Sequence, residues 1–355
     1  MSKVIQLNAL SHHQSESDRH AALLRSFAQH RRFGDDVFWL KENAELLNIL
    51  ECTGVILAED ALEVHAGFYE NVGKRLGFFP QYYRFLLSIC LDLEDLGMPG
   101  AKSEALVAWV KEQNLAGAEM SDLQRGEARR LMLRRSCDPL PGDAGLDDRL
   151  RAFVNRSATF VMPNKKAAYE LTHTIFYLSE YGRKNPQLGA AAKQSLDFAG
   201  TLAFLDQNAD LLAEVCVAMR YIGVAPPQTW EIWLTRFTHQ FAVETGPAVL
   251  PNDDYHEFFV CNWLMATSGQ NAFAKRFEQT RLGFFRPSTS AGPLREMSEC
   301  MFRLDEKRCD DWAKMRPIVE QGLPEEAFTI LDQAVSASDD FGLFFSGFSR
   351  VGMMS

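Results

Sequence analysis

The stretch Pro163–Gly182, PNKKAAYELTHTIFYLSEYG, carries the densest set of proton-handling side chains in the chain. Tyr169, His173, Tyr177 and Glu180 recur every three or four residues, so a helix would align them on one face. An imidazole titrates near neutrality, and a carboxylate on the same face can orient or charge it. His173 and Glu180 are therefore the candidate acid–base pair, with Tyr169 and Tyr177 as binding groups beside them. A buried histidine with hydrogen-bonded neighbours in an aromatic core would leave the same pattern.

A second set is Asp253, Asp254 and Glu257. Carboxylates so spaced on a helix can hold a hard cation through oxygen. The D-D-x-x-E spacing resembles the motif with which class I terpene synthases hold Mg²⁺ and a substrate diphosphate. The resemblance implies Mg²⁺, the one cofactor the sequence suggests. No N-x-x-x-S-x-x-x-E motif follows, and Pro251-Asn252-Asp253 also reads as an ordinary helix start whose acids suit the helix dipole. A third set is RGEARRLMLRR, residues 125–135, five arginines with one acid, Glu127. The planar guanidinium suits phosphate or carboxylate, so Arg125, Arg129 and Arg130 are candidate contacts for an anionic ligand or an acidic protein partner. A solvated helix face with cations near its C-terminus would look alike.

These side chains need helices to position them, and the helical period dominates from residue 15 onward. LLSICLDLEDLGMPGAKSEALVAWV (86–110) and LLAEVCVAMRYIGVAPPQTWEIWL (211–234) read as two copies of one helical hairpin. Leu86, Cys90, Leu93, Leu96 and Gly97 align with Leu212, Cys216, Met219, Ile222 and Gly223 at an offset of 126 residues. A repeated hairpin implies an array or ring of helix pairs. The expected class is all-α: stacked αα-hairpins forming an α/α toroid or an open solenoid, with two similar halves. Helices are expected near 16–32, 35–52, 59–76, 80–97, 102–114, 121–135, 145–155, 165–182, 189–205, 208–223, 228–242, 253–268, 271–281, 294–320 and 324–336. No strand is expected. The Pro- and Gly-broken segment 136–148 reads as a linker. The organisation is thus a flexible tail (1–14), a first helical half (15–135), the linker, a second half (149–282) and a small helical C-terminal extension (283–355).

The segment Y-x-L-T-H-x-x-F-Y-x-x-x-Y-G, Tyr169–Gly182, resembles segments of uncharacterised all-helical bacterial protein families; the resemblance covers about twenty residues and implies no activity.

The formal charge of −10 argues against nucleic acid, which attracts basic surfaces. No apolar run reaches the ~20 residues needed to span a bilayer. The seven cysteines lack a C-x-x-C pair and fit reduced thiols in a cytoplasm. The eight histidines form neither H-x-x-x-H nor H-E-x-x-H, and no G-x-S-x-G, Walker A or dinucleotide-binding glycine motif occurs. The expectation is a cytoplasmic bacterial helical protein that holds a small molecule or peptide on a central or concave surface. Two alternatives stand beside it: an enzyme working in the cavity of an α/α ring, with His173 and Glu180 or with Mg²⁺ on Asp253, Asp254 and Glu257, and a purely structural or regulatory scaffold.

Overall fold

The computed structural model describes residues 14–32 and 36–351. The expected tail lies outside them except for Gln14, as do His12, His13, Gly34 and Asp35. Helix follows helix: α1 (Glu16–Arg25), which continues into a π-helical turn (Ser26–His30), α2 (Val37–Cys52), α3 (Ala66–Phe78), α4 (Tyr83–Asp95), α5 (Lys102–Glu112), α6 (Asp122–Leu133), α7 (Leu146–Val154), α8 (Lys165–Leu178), α9 (Ala190–Leu205), α10 (Ala209–Tyr221), α11 (Gln228–Gln240) and α12 (Tyr255–Thr267). The last four are α13 (Leu294–Leu304), α14 (Trp312–Glu320), α15 (Glu325–Ala337) and α16 (Phe341–Phe348).

Local chemistry sets the ends. The Asp36, Ser121, Asn164 and Asn208 side chains each accept a backbone N–H of their helix's first turn, which satisfies a donor that has no partner inside the helix. Just beyond α4 and α10, Gly97 and Gly223 take φ values of +110° and +77°, a conformation that glycine enters at little cost.

The even-numbered helices neighbour one another in order. Helix α2 packs on α4, α4 on α6, α6 on α8, α8 on α10, α10 on α12, and α12 on α2. The odd-numbered helices pack against these, with α3 on α4, α7 on α6 and α8, α9 on α10, and α11 on α10 and α12. One apolar core runs from Ala22 to Phe348, through residues on both sides of segment 136–148. That segment is fastened: Arg129 reaches Asp138 at 2.8 Å, and Arg149 bonds both Asp122 and Asp143.

Three expectations need correction. Residues 271–281 form no helix. Phe273 and Phe277 mimic helical spacing, but both are buried as anchors of a loop whose backbone is held by Asn262, Arg19 and Gln14. The span 294–320 is two helices, broken where Asp305 takes φ +46°. Two short strands do exist: β1 (Ala242–Thr245) pairs antiparallel with β2 (Leu282–Phe285). Four residues are too few to show an alternating pattern, and their pairing spans the whole of α12. The phenylalanine-rich C-terminus forms α16, with Phe341, Phe344, Phe345 and Phe348 buried against Trp312 and Phe198.

Candidate functional site

A cavity of about 350 Å³ is lined by residues from α2, α4, α6, α8, α10 and α12. Its walls are partly aromatic, with Phe85, Phe176, Tyr181 and Trp263. Its polar groups are Lys41, Glu45 and Asn48 from α2, Ser88 from α4, Glu127 from α6, His173 from α8, Glu214 from α10 and His256 from α12. Asp210 lies one turn before Glu214 on α10, so both carboxylates lie on one face.

Five of these side chains meet. One donor atom each from Asp210, Glu214 and His256 lies within 4.8 Å of the others. His256 Nδ1 sits 2.6 Å from Glu45 Oε1, and its Nε2 faces Asp210 Oδ1 at 3.3 Å. The Tyr169 hydroxyl donates to Asp210 Oδ2 at 2.5 Å. The Thr172 hydroxyl donates to Glu214 Oε2 at 2.5 Å. Glu214 Oε1 has His173 Nε2 at 3.7 Å. The Glu214 side chain is only 3% exposed, whereas the His173 and His256 side chains are each 39% exposed.

The electrostatics follow from this crowding. Burial opposes charge on His256, but the carboxylates of Glu45, Asp210 and Glu214 outweigh it and lift its pKa to about 10. Burial and the neighbouring Asp210 carboxylate raise Glu214 above the usual carboxyl range. Burial lowers His173 and favours its neutral ring. Burial and the Asp210 carboxylate raise the Tyr169 phenol, which keeps it a hydrogen-bond donor.

Of the residues singled out on the Tyr169–Glu180 stripe, Tyr169 and His173 reach this cluster. The Tyr177 ring lies parallel to that of His173 at 6.1 Å and lines another pocket with Arg130. Glu180 does not join them. Helix α8 ends at Leu178, and Glu180 and Tyr181 take φ values of +49° and +53°. The turn sends the Glu180 carboxylate to Arg130, 3.4 Å away.

The three D-D-x-x-E carboxylates each face a different set of partners. The fully buried Asp253 side chain is held by both terminal nitrogens of Arg31, at 2.8 Å, and accepts the Phe284 N–H. Asp254 accepts the Arg286 N–H, and Glu257 faces the Arg286 guanidinium at 3.7 Å. Burial raises Glu257 to about 7. The arginines of α6 and of the turn that follows it are largely committed as well. Arg125 donates to the Glu119 carbonyl, Arg129 is paired with Asp138, and Arg134 and Arg135 bind Asp92, Glu94 and Asp95. Arg130 is buried over the Tyr181 ring, 4.3 Å from its centroid.

The cluster residues that sequence reading did not single out are Glu45, Asp210, Glu214 and His256. Glu214 did leave a signal: a carboxylate inside the apolar run LLAEVCVAM is costly to bury without a task.

No helix among the described residues is long and apolar enough to cross a membrane. No curated protein and no solved structure matches the chain. A family described as "Domain of unknown function (DUF6902)" matches residues 1–351, nearly the full length, and the chain with its acidic, histidine-bearing cavity belongs to that family.

Proposed function

We propose that this protein is a cytoplasmic enzyme that breaks or rearranges a polar bond of a small molecule in the central cavity of an α/α toroid. The toroid reading is supported by the order of helix contacts, in which α12 returns to α2, with the odd-numbered helices packed against the even ones. Seven free cysteines fit a reducing compartment.

The observation that carries the enzyme reading is the convergence of Glu45, His173, Asp210, Glu214 and His256 at one wall of the cavity, with the His173 and His256 rings partly exposed. Three carboxylates gathered about one imidazole cost stability, because like charges repel and burial strips their water. Such crowding is the mark of reacting sites. In this reading His173, open to the cavity and 3.7 Å from Glu214, transfers the proton. The aromatic wall and Lys41 orient the substrate. The volume lies at the small end of the ~300–1,000 Å³ common for ligand sites, so the substrate is a compact molecule.

The test is turnover on a panel of chromogenic phosphate, carboxyl and glycosyl esters, alongside native mass spectrometry of the protein isolated from its host. Wild type should turn over one class or the co-purified molecule. His173→Ala should lose about a hundredfold or more in kcat, as loss of a proton-transferring side chain does, with its unfolding midpoint unchanged. A co-purified ligand that wild type leaves unchanged would make this a binding protein instead.

A further inference from the structure

Asp210, Glu214 and His256 share a pattern. Each has one polar atom fastened to a neighbour and a second left without a hydrogen bond. Asp210 Oδ2 is held by Tyr169, while Oδ1 is buried and accepts no hydrogen bond. Glu214 Oε2 is held by Thr172, while Oε1 makes no hydrogen bond although the side chain is only 3% exposed. His256 Nδ1 is held by the Glu45 carboxylate, while Nε2 faces Asp210 Oδ1 at 3.3 Å without a hydrogen bond, so the two unfastened atoms point at one another. A histidine whose far nitrogen donates to a carboxylate is the usual orientation for a metal ligand, since the carboxylate fixes the ring and raises its basicity.

We propose that Asp210 Oδ1, Glu214 Oε1 and His256 Nε2 are the ligands of a divalent metal ion, held on the wall of the cavity. The donor set fits the spacing, with one atom of each residue within 4.8 Å of the others. The charge fits too. Three carboxyl groups, those of Glu45, Asp210 and Glu214, surround one imidazole, and such a set takes up a doubly charged ion by releasing protons as it binds. One nitrogen and two carboxylate oxygens favour zinc, manganese or ferrous iron over Mg²⁺ or Ca²⁺, which prefer all-oxygen surroundings. Three protein ligands leave coordination positions open on the cavity side, as in catalytic rather than structural sites. In that last respect the inference rests on the enzyme reading above, since the open position would take water or substrate beside His173. Glu45 is a positioning residue, not a ligand.

The experiment titrates full-length, chelator-dialysed protein with ZnCl₂ and, separately, MnCl₂ by calorimetry, and follows the absorption spectrum on adding CoCl₂. One equivalent should bind. A hundredfold excess of metal over Kd should raise the unfolding midpoint by about 3–4 °C in a chain of this length. Glu214→Gln and His256→Ala should weaken binding at least a hundredfold. Glu45→Gln should weaken it ten- to a hundredfold through loss of the anchoring charge. Asp254→Asn, on the neighbouring turn, should leave it unchanged. No binding of either metal by wild type, or affinity unchanged in Glu214→Gln, would overturn the site. If His256→Ala does not fold, the cobalt spectrum of wild type against Glu45→Gln decides, because only a bound imidazole shifts between them. The two readings fail separately. Turnover by a protein that binds neither metal overturns the metal and leaves the enzyme, whereas one bound equivalent without turnover of any substrate supports the metal and removes the enzyme.

Discussion

His65 makes the fold acid-labile. It is completely buried, with Nε2 2.8 Å from Asn43 Oδ1. The Asn43 amide nitrogen already donates to the Phe27 and Trp39 carbonyls, so its oxygen must accept. His65 therefore carries its proton on Nε2, and Nδ1 is buried with no partner. A second proton would sit on Nδ1, in a cage that includes the Trp39 ring at 6.0 Å. Burial accordingly lowers the His65 pKa from 6.5 to about 4. The folded state binds this proton more weakly than the unfolded chain. The resulting stability is complete above about pH 6.5 and is lost as the pH falls toward 4. A shift of 2.5 units at about 1.4 kcal/mol each sets a limit of about 3 kcal/mol, of which about 2 kcal/mol is gone by pH 5. Urea denaturation of wild type and His65→Gln at pH 8 and pH 5 isolates this contribution. Glutamine can still donate to Asn43 but does not titrate. The variant should start lower at pH 8 through lost packing, yet lose about 2 kcal/mol less than wild type on acidification. Equal losses in the two proteins, or a His65 ring that titrates near pH 6.5 by NMR, would refute the argument.

Asp197 titrates with the opposite effect. Burial, with the nearby Asp340 and Asp339 carboxylates, raises its pKa from 3.8 to about 6, although it accepts a hydrogen bond from Ser338. The folded state holds this proton more tightly, so stability is greatest below pH 4 and falls as the pH rises through 6. Asp197→Asn should stabilise by about 1–2 kcal/mol at pH 7.5, allowing for partial solvent screening, and have almost no effect at pH 4, as read by thermal denaturation. The Arg31–Asp253 pair should behave as structure. Asp253→Asn strands a guanidinium whose side chain is fully buried, with Glu42 its remaining ion-pair partner among the described residues, and should cost about 3 kcal/mol. A variant as stable as wild type that had lost Mg²⁺ affinity would restore the D-D-x-x-E reading.

Periodicity made the helices legible because most bury one apolar stripe, as α4 does with Leu86, Ile89, Cys90 and Leu93. Single side chains cap two of these helices: Ser121 accepts the Gln124 N–H and Asn164 the Ala167 N–H. Segment 271–281 misled because spacing records which residues are buried, not whether helix or loop buries them. The α8 stripe was half informative for a related reason. Tyr169 and His173 lie within the helix, but Glu180 lies beyond its end, where the turn redirects it to Arg130. Glu45 and His256 are 211 residues apart in the chain and 2.6 Å apart in the fold. Only the packing of α12 on α2 brings them together, and no local pattern encodes that contact.

The hairpin register contains more about the site than the spacing of its polar groups did. The offset of 126 residues that aligns Cys90 with Cys216 also aligns Ser88 with Glu214, and both line the cavity. A position facing inward on α4 is thus matched by one facing inward on α10, while the flanking Leu86 and Leu212, Cys90 and Cys216 are buried. The two positions differ in what surrounds them. Ser88 can hydrogen-bond within its own helix, to Asp92 at 3.1 Å. Glu214 has no partner on α10 and depends on Thr172 and His173 from α8, with His256 on α12 facing Asp210 one turn earlier. A carboxylate placed there needs both neighbouring helices supplied with donors, and those donors occur on α8 and α12. The chemistry therefore concentrates on α8, α10 and α12, and a search for motifs shared by the two matched segments could not find it.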